Sequence, residues 1–315
     1  MATVGYHCAH EQLPPSRLLD DVRRAADAGW DAAMCSDHLA PWSARQGESG
    51  NAWVWLGAAL QATSLELGVV TAPVPRYHPA VHAQQIATVA ELFPDRFWVA
   101  FGSGEHLNEH VTGDLWPPKP ERVARMLEAI DVIGRLLAGE EVTHHGAFEV
   151  DEAKVWSRPR TRPPFVAAAV SPESAATAAT WADALITVIQ PVDTLRQVLD
   201  AWGDRGPAYL QVHLSWAATD DEAAAIAVDQ GAANVVGAPL AWDLKTTAHF
   251  DAATVNVRVE DLVDAVLISS DLGWHAARLV ELRDLGFERL YLHHLGKHQE
   301  RFIEAFADKV LPELR

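Results

Sequence analysis

Asp37 and His38, with Trp42 four residues beyond the histidine, follow directly on the small apolar run Asp31 to Ser36 and open a loop rich in Trp, Ser and Gly. An imidazole titrates near neutral pH and can exchange protons with a ligand, and an indole offers a flat wall for a planar ring. Taken alone, the Asp-His pair serves equally well as a surface cap on a helix. A second stretch, Gly102-Ser103-Gly104-Glu105-His106-Leu107-Asn108-Glu109, joins two glycines, which let backbone approach a ring or phosphate closely, to a carboxylate and an amide. A lone Gly-x-Gly has many other uses. His7 to Gln12 contributes Glu11, and Val69 to Tyr77 turns sharply away from an apolar strand through Pro73 and Pro75.

All four stretches sit where a strand signal ends. Thr3 to Cys8 reads as strand, Ser16 to Gly29 as helix, Asp31 to Ser36 as strand, Ala52 to Thr63 as helix, and Leu65 to Thr71 as strand. Ala80 to Leu92 reads as helix, Arg96 to Phe101 as strand, and Glu121 to Leu137 as a long helix entered through prolines. Val142 to Val155 breaks the rhythm with a Gly turn between β-prone runs, the mark of a hairpin. The alternation resumes with strands at Phe165 to Ala169, Ala184 to Val188, Tyr209 to Trp216 and Arg289 to His293, and with helices at Pro172 to Trp181, Val192 to Trp202 and Gln299 to Val310. Asp220 to Leu285 reads as almost wholly helical, an insertion placed to wall off a pocket. About eight strands alternating with helices in one unbroken pattern predict a single (β/α)8 TIM barrel over 1–315, with a mostly helical insertion before the last strand. An open doubly wound sheet is the competing arrangement, but no GxGxxG follows the first strand. In a barrel the four stretches converge on one mouth, bringing together His38, Trp42, Glu11, Glu105 and Asn108.

Composition narrows the partners. A net charge of -18 argues against nucleic acid and anionic membranes, both of which need a basic surface. No apolar stretch is long enough to span a bilayer, and Met1 to Tyr6 lacks a basic segment followed by an apolar run, so a cytoplasmic location is expected. The fifteen histidines form no HExxH or other ligand spacing, so no metal is expected. His144-His145 falls on the hairpin, whereas His293-His294 ends the last strand on the functional rim. Cys8 and Cys35, at two strand ends, are expected to be buried free thiols. Trp53 and Trp55 are expected to pack between helix and barrel.

Together Ser-Asp-His-x-x-Pro-Trp, Arg-Tyr-His-Pro-Ala, Phe-Pro-Asp-Arg-Phe, Gly-Ser-Gly-Glu-x-Leu-Asn-Glu and Gln-Glu-Arg-Phe-Ile resemble the luciferase-like flavin and deazaflavin oxidoreductases. The branch most similar is that of the glucose-6-phosphate dehydrogenases that use the deazaflavin coenzyme F420. The resemblance runs nearly the full length and is densest from Gly5 to Pro120. It implies a homodimeric barrel with a flavin ring in its mouth and a small organic substrate. His38 would be the base, assisted by Trp42 and Glu105. Cofactor contacts would come from Asp37, Val69, Val70, Ala72, Gly102, Ser103, Gly104, Asn108, Val170 and Ser171, and substrate contacts from Glu11 and His293. Val69-Val70 falls where such enzymes often carry a non-prolyl cis peptide. Two positions depart from the branch: Val170-Ser171 replaces a Gly-Gly phosphate cradle, and Thr187-Val188-Ile189-Gln190 lacks the cation expected for a sugar phosphate. A serine at a helix start supplies donors for the phosphate of FMN. The expectation is therefore an FMN-dependent oxidoreductase, with monooxygenation and hydride transfer both open to it, an F420-dependent alcohol or sugar dehydrogenase as the alternative and a non-catalytic flavin-binding barrel as the third choice.

Overall fold

The computed structural model describes residues 2–315. Its strands in chain order are β1 Thr3–Cys8, β2 Ala32–Ser36, β3 Glu66–Thr71, β4 Phe97–Phe101, β5 Val142–His145, β6 Glu149–Ala153, β7 Phe165–Ala168, β8 Ala184–Val188, β9 Ala208–Ser215, β10 Leu267–Ile268 and β11 Arg289–His294. Eight of them pair in parallel in the order β11-β1-β2-β3-β4-β7-β8-β9, and β9 pairs back to β11 to close the barrel. The hairpin β5–β6 is antiparallel and stands apart, as the Gly turn implied.

Helices cover the outside for reasons visible in the sequence. Pro15–Asp27 buries Leu18, Val22 and Ala25 on one stripe, and the chain turns out of it at Gly29 with φ +86°. Asn51 caps Ala52–Ala62 by accepting from the Val54 amide at 3.0 Å. Lys119–Ala138 starts behind Pro117 and Pro118 and ends on the left-handed Gly139. Between helices and strands lies the larger apolar core, which contains Tyr6, Cys8, Cys35, Val69, Val99 and Phe101. Cys8 and Cys35 are register partners on β1 and β2, and both are buried free thiols. Trp53 and Trp55 pack in this layer as expected.

A second, smaller core fills the barrel itself with Met34, Trp98, Ala100, Val166, Ile186, Tyr209 and Tyr291. Its floor depends on two glycines. A Cβ on Gly68 would lie 1.9 Å from the Trp98 ring, and one on Gly5 would lie 2.3 Å from Tyr291. The bare backbone at these positions lets two large aromatics cross the axis, where Trp98 Nε1 donates to Tyr291 Oη at 3.2 Å. The lower end is thereby closed.

The insertion is mostly helical, as expected, and holds one short strand that the sequence did not indicate. Asp220–Gly231 and Leu272–Asp284 are full helices, but between them lie only short helices at Leu240–Asp243 and Thr247–Ala253, 3-10 turns, and the two-residue strand β10. β10 pairs with the end of β9, at Leu214 and Ser215, beyond the reach of β8. Two residues are too few to show an alternating pattern, which is why the sequence hides this strand. No helix among the described residues is long and apolar enough to cross a membrane.

Candidate active site at the barrel mouth

His38, two residues past β2, lies between two carboxylates: its Nδ1 is 2.9 Å from Glu11 Oε1 and its Nε2 is 3.7 Å from Glu105 Oε2. Trp42 meets the imidazole edge-on, with ring centroids 5.1 Å apart. Burial opposes charge on His38, yet Glu11 and Glu105 outweigh it and lift the imidazole to about 9. Burial also opposes charge on Glu11, and His38 reverses that and holds the carboxyl down at about 2. Glu105 is pushed above the carboxylate range by burial, with His38 pulling the other way. At neutral pH this trio therefore holds an imidazolium flanked by Glu11 carboxylate. Asn108 ties the loops together: its Oδ1 accepts from the Leu39 amide at 2.8 Å, and its Nδ2 donates to Glu105 Oε2 at 2.9 Å.

Asp37 is placed differently from His38. Its carboxylate is buried and accepts from Thr71 Oγ1 at 2.9 Å, Tyr77 Oη at 3.1 Å and Arg76 Nη2 at 3.2 Å. Arg76 in turn lies 3.5 Å from Glu109 and donates its amide to it at 3.0 Å. Burial raises Glu109 to about 7 despite Arg76. This network joins the β2, β3 and β4 loops beneath the site, so the oxygens of Asp37 are spent on protein.

Side chains facing into the mouth divide into two sectors. Alternation along each strand puts Val70 of β3, Gly102 just past β4, Ala168 of β7 and Val188 of β8 on neighbouring staves, small or apolar and partly exposed. A Cβ on Gly102 would sit 3.7 Å from that of Ala168, and Gly104, at φ +82°, packs against Ala72 and Glu109. The opposite staves carry Gln211 and His213 of β9, His293 of β11, His7 of β1 and Ser36 of β2. His7 and His293 stack at 4.3 Å, and His213 lies 5.0 Å from His293. His294, one residue on, faces outward and stacks on Phe302.

Three of the expected contacts turn away from the mouth or are engaged with protein. Val69 points away from the mouth into the helix layer, because only every second residue of a strand faces inward. The Val69-Val70 bond is not cis; the cis bonds of the described residues are Val74-Pro75 and Ala238-Pro239. Ser171 caps the short helix Pro172–Ala178, its Oγ accepting from the Ser174 amide at 3.3 Å while its own amide donates to Ser174 Oγ at 3.0 Å. The donors that favoured FMN are thus already used within the cap. Val170 is partly buried and its carbonyl accepts from Gln190 Nε2 at 3.3 Å.

The model of the luciferase-like monooxygenase family matches residues 2–289. The chain belongs to that family. It is an enzyme, an oxidoreductase of the luciferase-like class. Among its relatives, a protein of Microbacterium testaceum named F420-dependent glucose-6-phosphate dehydrogenase is 32% identical, with 99% of this chain and 97% of that protein covered. A Mycobacterium tuberculosis protein named F420-dependent hydroxymycolic acid dehydrogenase is also 32% identical, over 99% of this chain and 88% of its own length. The solved structure of an F420-dependent secondary alcohol dehydrogenase in complex with an F420-acetone adduct superposes with a TM-score of 0.91 at 26% identity, covering 100% of this chain and 99% of that one.

In this luciferase-like barrel the insertion straps two loops of the mouth together. Thr247 Oγ1 donates to Pro41 O at 2.8 Å, and Asp251 accepts from Ser43 Oγ at 2.8 Å and the Ala44 amide at 3.1 Å. Phe250, fully buried, meets Trp42 edge-on at 5.0 Å. At the other end Asp243 Oδ1 accepts from Trp116 Nε1 at 3.0 Å, and the Asp243 carbonyl lies 3.2 Å from His106 Nδ1. The sequence reading passed over these residues. It also passed over Gln211 and His213, although β9 carries a signal for them: Tyr209, Gln211, His213 and Ser215 share one face while Leu210, Val212 and Leu214 share the other. A parallel strand buried on both faces should be apolar throughout, so strict polar alternation marks a face turned toward a ligand.

Proposed function

We propose that this enzyme is a coenzyme F420-dependent alcohol dehydrogenase that interconverts an uncharged alcohol and its ketone or aldehyde, with His38 carrying the hydroxyl proton. The observation that supports it best is the His38 trio, an imidazole braced on one nitrogen by Glu11 and open on the other toward Glu105, edge-on to Trp42, across the mouth from a small apolar sector. The three relatives above, named for F420-dependent dehydrogenases, support the same choice of cofactor and reaction. The consumed donors of Ser171 remove the reason for preferring FMN.

The apolar sector fits a flat heterocycle: Val70, Ala168 and Val188 offer a smooth seat, and Gly102 leaves room for a ring to approach the backbone. A deazaflavin held there would supply the hydride acceptor, or in reverse the hydride donor, for the carbinol carbon. The residues of the chain manage the proton. Nδ1 of His38 lies 2.9 Å from the Glu11 carboxylate, which leaves Nε2 as the nitrogen to meet substrate. Alcohol oxidation needs that imidazole neutral; with His38 lifted to about 9, it is mostly protonated at pH 7 and is set to donate to a carbonyl. Trp42 walls the site on one side and Asn108 holds the Leu39-Ala40 backbone in place. The Arg76 guanidinium is not free for an anionic substrate, because it is already shared by Asp37 and Glu109.

Parallel titrations with coenzyme F420 and FMN test the ring. Tight binding of F420, followed by loss of its absorbance on adding a secondary alcohol, is the expected result. Tight binding of FMN alone would overturn the reading.

A further inference from the structure

The polar sector of the mouth is a hydrogen-bonded group of its own, built around Gln211 rather than His38. Gln211 Nε2 approaches His213 Nε2 at 3.2 Å and His293 Nδ1 at 3.4 Å, while His293 Nε2 lies 2.8 Å from Gln12 Oε1. Gln12 is itself fixed, its Nε2 donating to Leu295 O at 2.6 Å and Gln230 Oε1 at 3.2 Å. This chain of contacts sets the tautomers: with its amide donating, Gln12 accepts from His293 Nε2–H, so His293 Nδ1 and His213 Nε2 accept from Gln211. Two groups then remain without a partner among the described residues, the Nδ1–H of His213 and the Oε1 of Gln211, one donor and one acceptor on adjacent positions of the same strand face. His213 is partly exposed, so this pair opens to the mouth. His7 Nδ1 is buried there without a partner as well.

We propose that Gln211 and His213, backed by His7 and His293, form a subsite for an uncharged hydroxyl or carbonyl oxygen, so that the substrate carries a second neutral oxygen beyond the carbinol that reacts at His38. A hydroxyl group needs one acceptor and one donor, which is what the pair offers. Burial keeps the sector neutral: it lowers His7 to about 3 and His213 to about 4, so neither supplies a positive charge for a phosphate or carboxylate at working pH. The subsite lies within reach of the base. Ser36, 3.4 Å from His7 Nε2, precedes His38 by two residues. A second oxygen bound there calls for a hydroxylated ring or a polyol rather than a simple secondary alcohol. This substrate class rests on the dehydrogenase reading, and it adds a discrimination which that reading does not require.

The test uses the protein loaded with coenzyme F420 and two probes, cyclohexanol and cyclohexane-1,4-diol. The diol is expected to show a KM about tenfold lower than the mono-alcohol. In Gln211→Leu the ratio of the two KM values should rise to about one, whatever change is common to both alcohols; Gln211→Glu keeps the acceptor, should retain a ratio below one, and serves as a second variant should the first fail to fold. Equal KM values for the two alcohols, or equal losses for both in Gln211→Leu, would overturn the subsite and leave the dehydrogenase reading intact. If neither alcohol reduces the coenzyme, calorimetric titration of the loaded protein with the diol still decides: heat of binding that is lost in Gln211→Leu supports the subsite, and no binding to the parent protein refutes it.

Discussion

At the lower end of the barrel Arg289 meets Glu66 at 2.7 Å, with Tyr291 Oη at 3.4 Å and the Tyr209 ring 4.8 Å from the guanidinium. At the upper end His38 meets Glu11 at 2.9 Å, with Trp42 edge-on and a second carboxylate at 3.7 Å. Both pairs place an ionised group against aromatic rings. Below, Trp98 and Tyr291 fill the axis over Gly68 and Gly5, and the polar groups are matched to one another. Above, carboxylates outnumber cations around His38, the imidazole is lifted to about 9, and the mouth is open. Packing that satisfies its charges gives stability, whereas charge left for a ligand to share gives chemistry.

The comparison breaks most visibly at its two extremes. His38→Gln, which keeps a donor toward Glu11, should lower turnover by about 10³-fold with the melting temperature nearly unchanged. Steady-state kinetics beside calorimetry checks this, and undiminished turnover would remove His38 from the mechanism. Trp98→Ala should do the reverse, costing about 3–5 kcal/mol in urea unfolding while kcat at low temperature stays within a few-fold of the parent. Gly68→Ala should follow the same pattern at about 1–3 kcal/mol, because the new methyl would enter the Trp98 ring.

Smaller changes sharpen the contrast. Phe250→Leu keeps an apolar side chain under Trp42 but removes the edge-on ring, and should lower kcat about fivefold, with a loss of stability under ~1.5 kcal/mol. A shift in Trp42 fluorescence would report the displaced indole. The finest prediction concerns pH. Alcohol oxidation should rise about tenfold per pH unit up to about 9, and ketone reduction should be level below that point and fall above it. Glu11→Gln removes the carboxylate that contributes most to raising His38, so both profiles should move to lower pH. Profiles that stay in place would show that Glu11 does not set the charge of His38.

Much of this was legible in the chain. The alternation of apolar runs and amphipathic stretches marked the barrel strands, and Ser-Asp-His and Gly-Ser-Gly-Glu marked the loops that meet at the mouth. Direction is what the motifs leave open. Asp37 and His38 are neighbours, yet one faces the Arg76 network and the other the mouth, and Val69 and Val70 divide in the same way. Adjacent residues leaving a strand point to opposite sides, so a motif names a region and not a direction. Ser171 looked like a phosphate donor because its use by Ser174 depends on a capping geometry that a serine in sequence does not reveal.

The sequence by itself determined the elements, their order and the loops that carry reactive groups, because hydrophobic periodicity and turn chemistry are local. Tertiary structure alone decided which staves of the mouth are apolar and which are lined with imidazoles, that Phe250 braces Trp42 from 208 residues away, and that Glu11 and Glu105 share one imidazole. Those facts arise when the barrel closes, which sets distant residues side by side and buries their charges together, and neither proximity nor burial is written in any single stretch of chain.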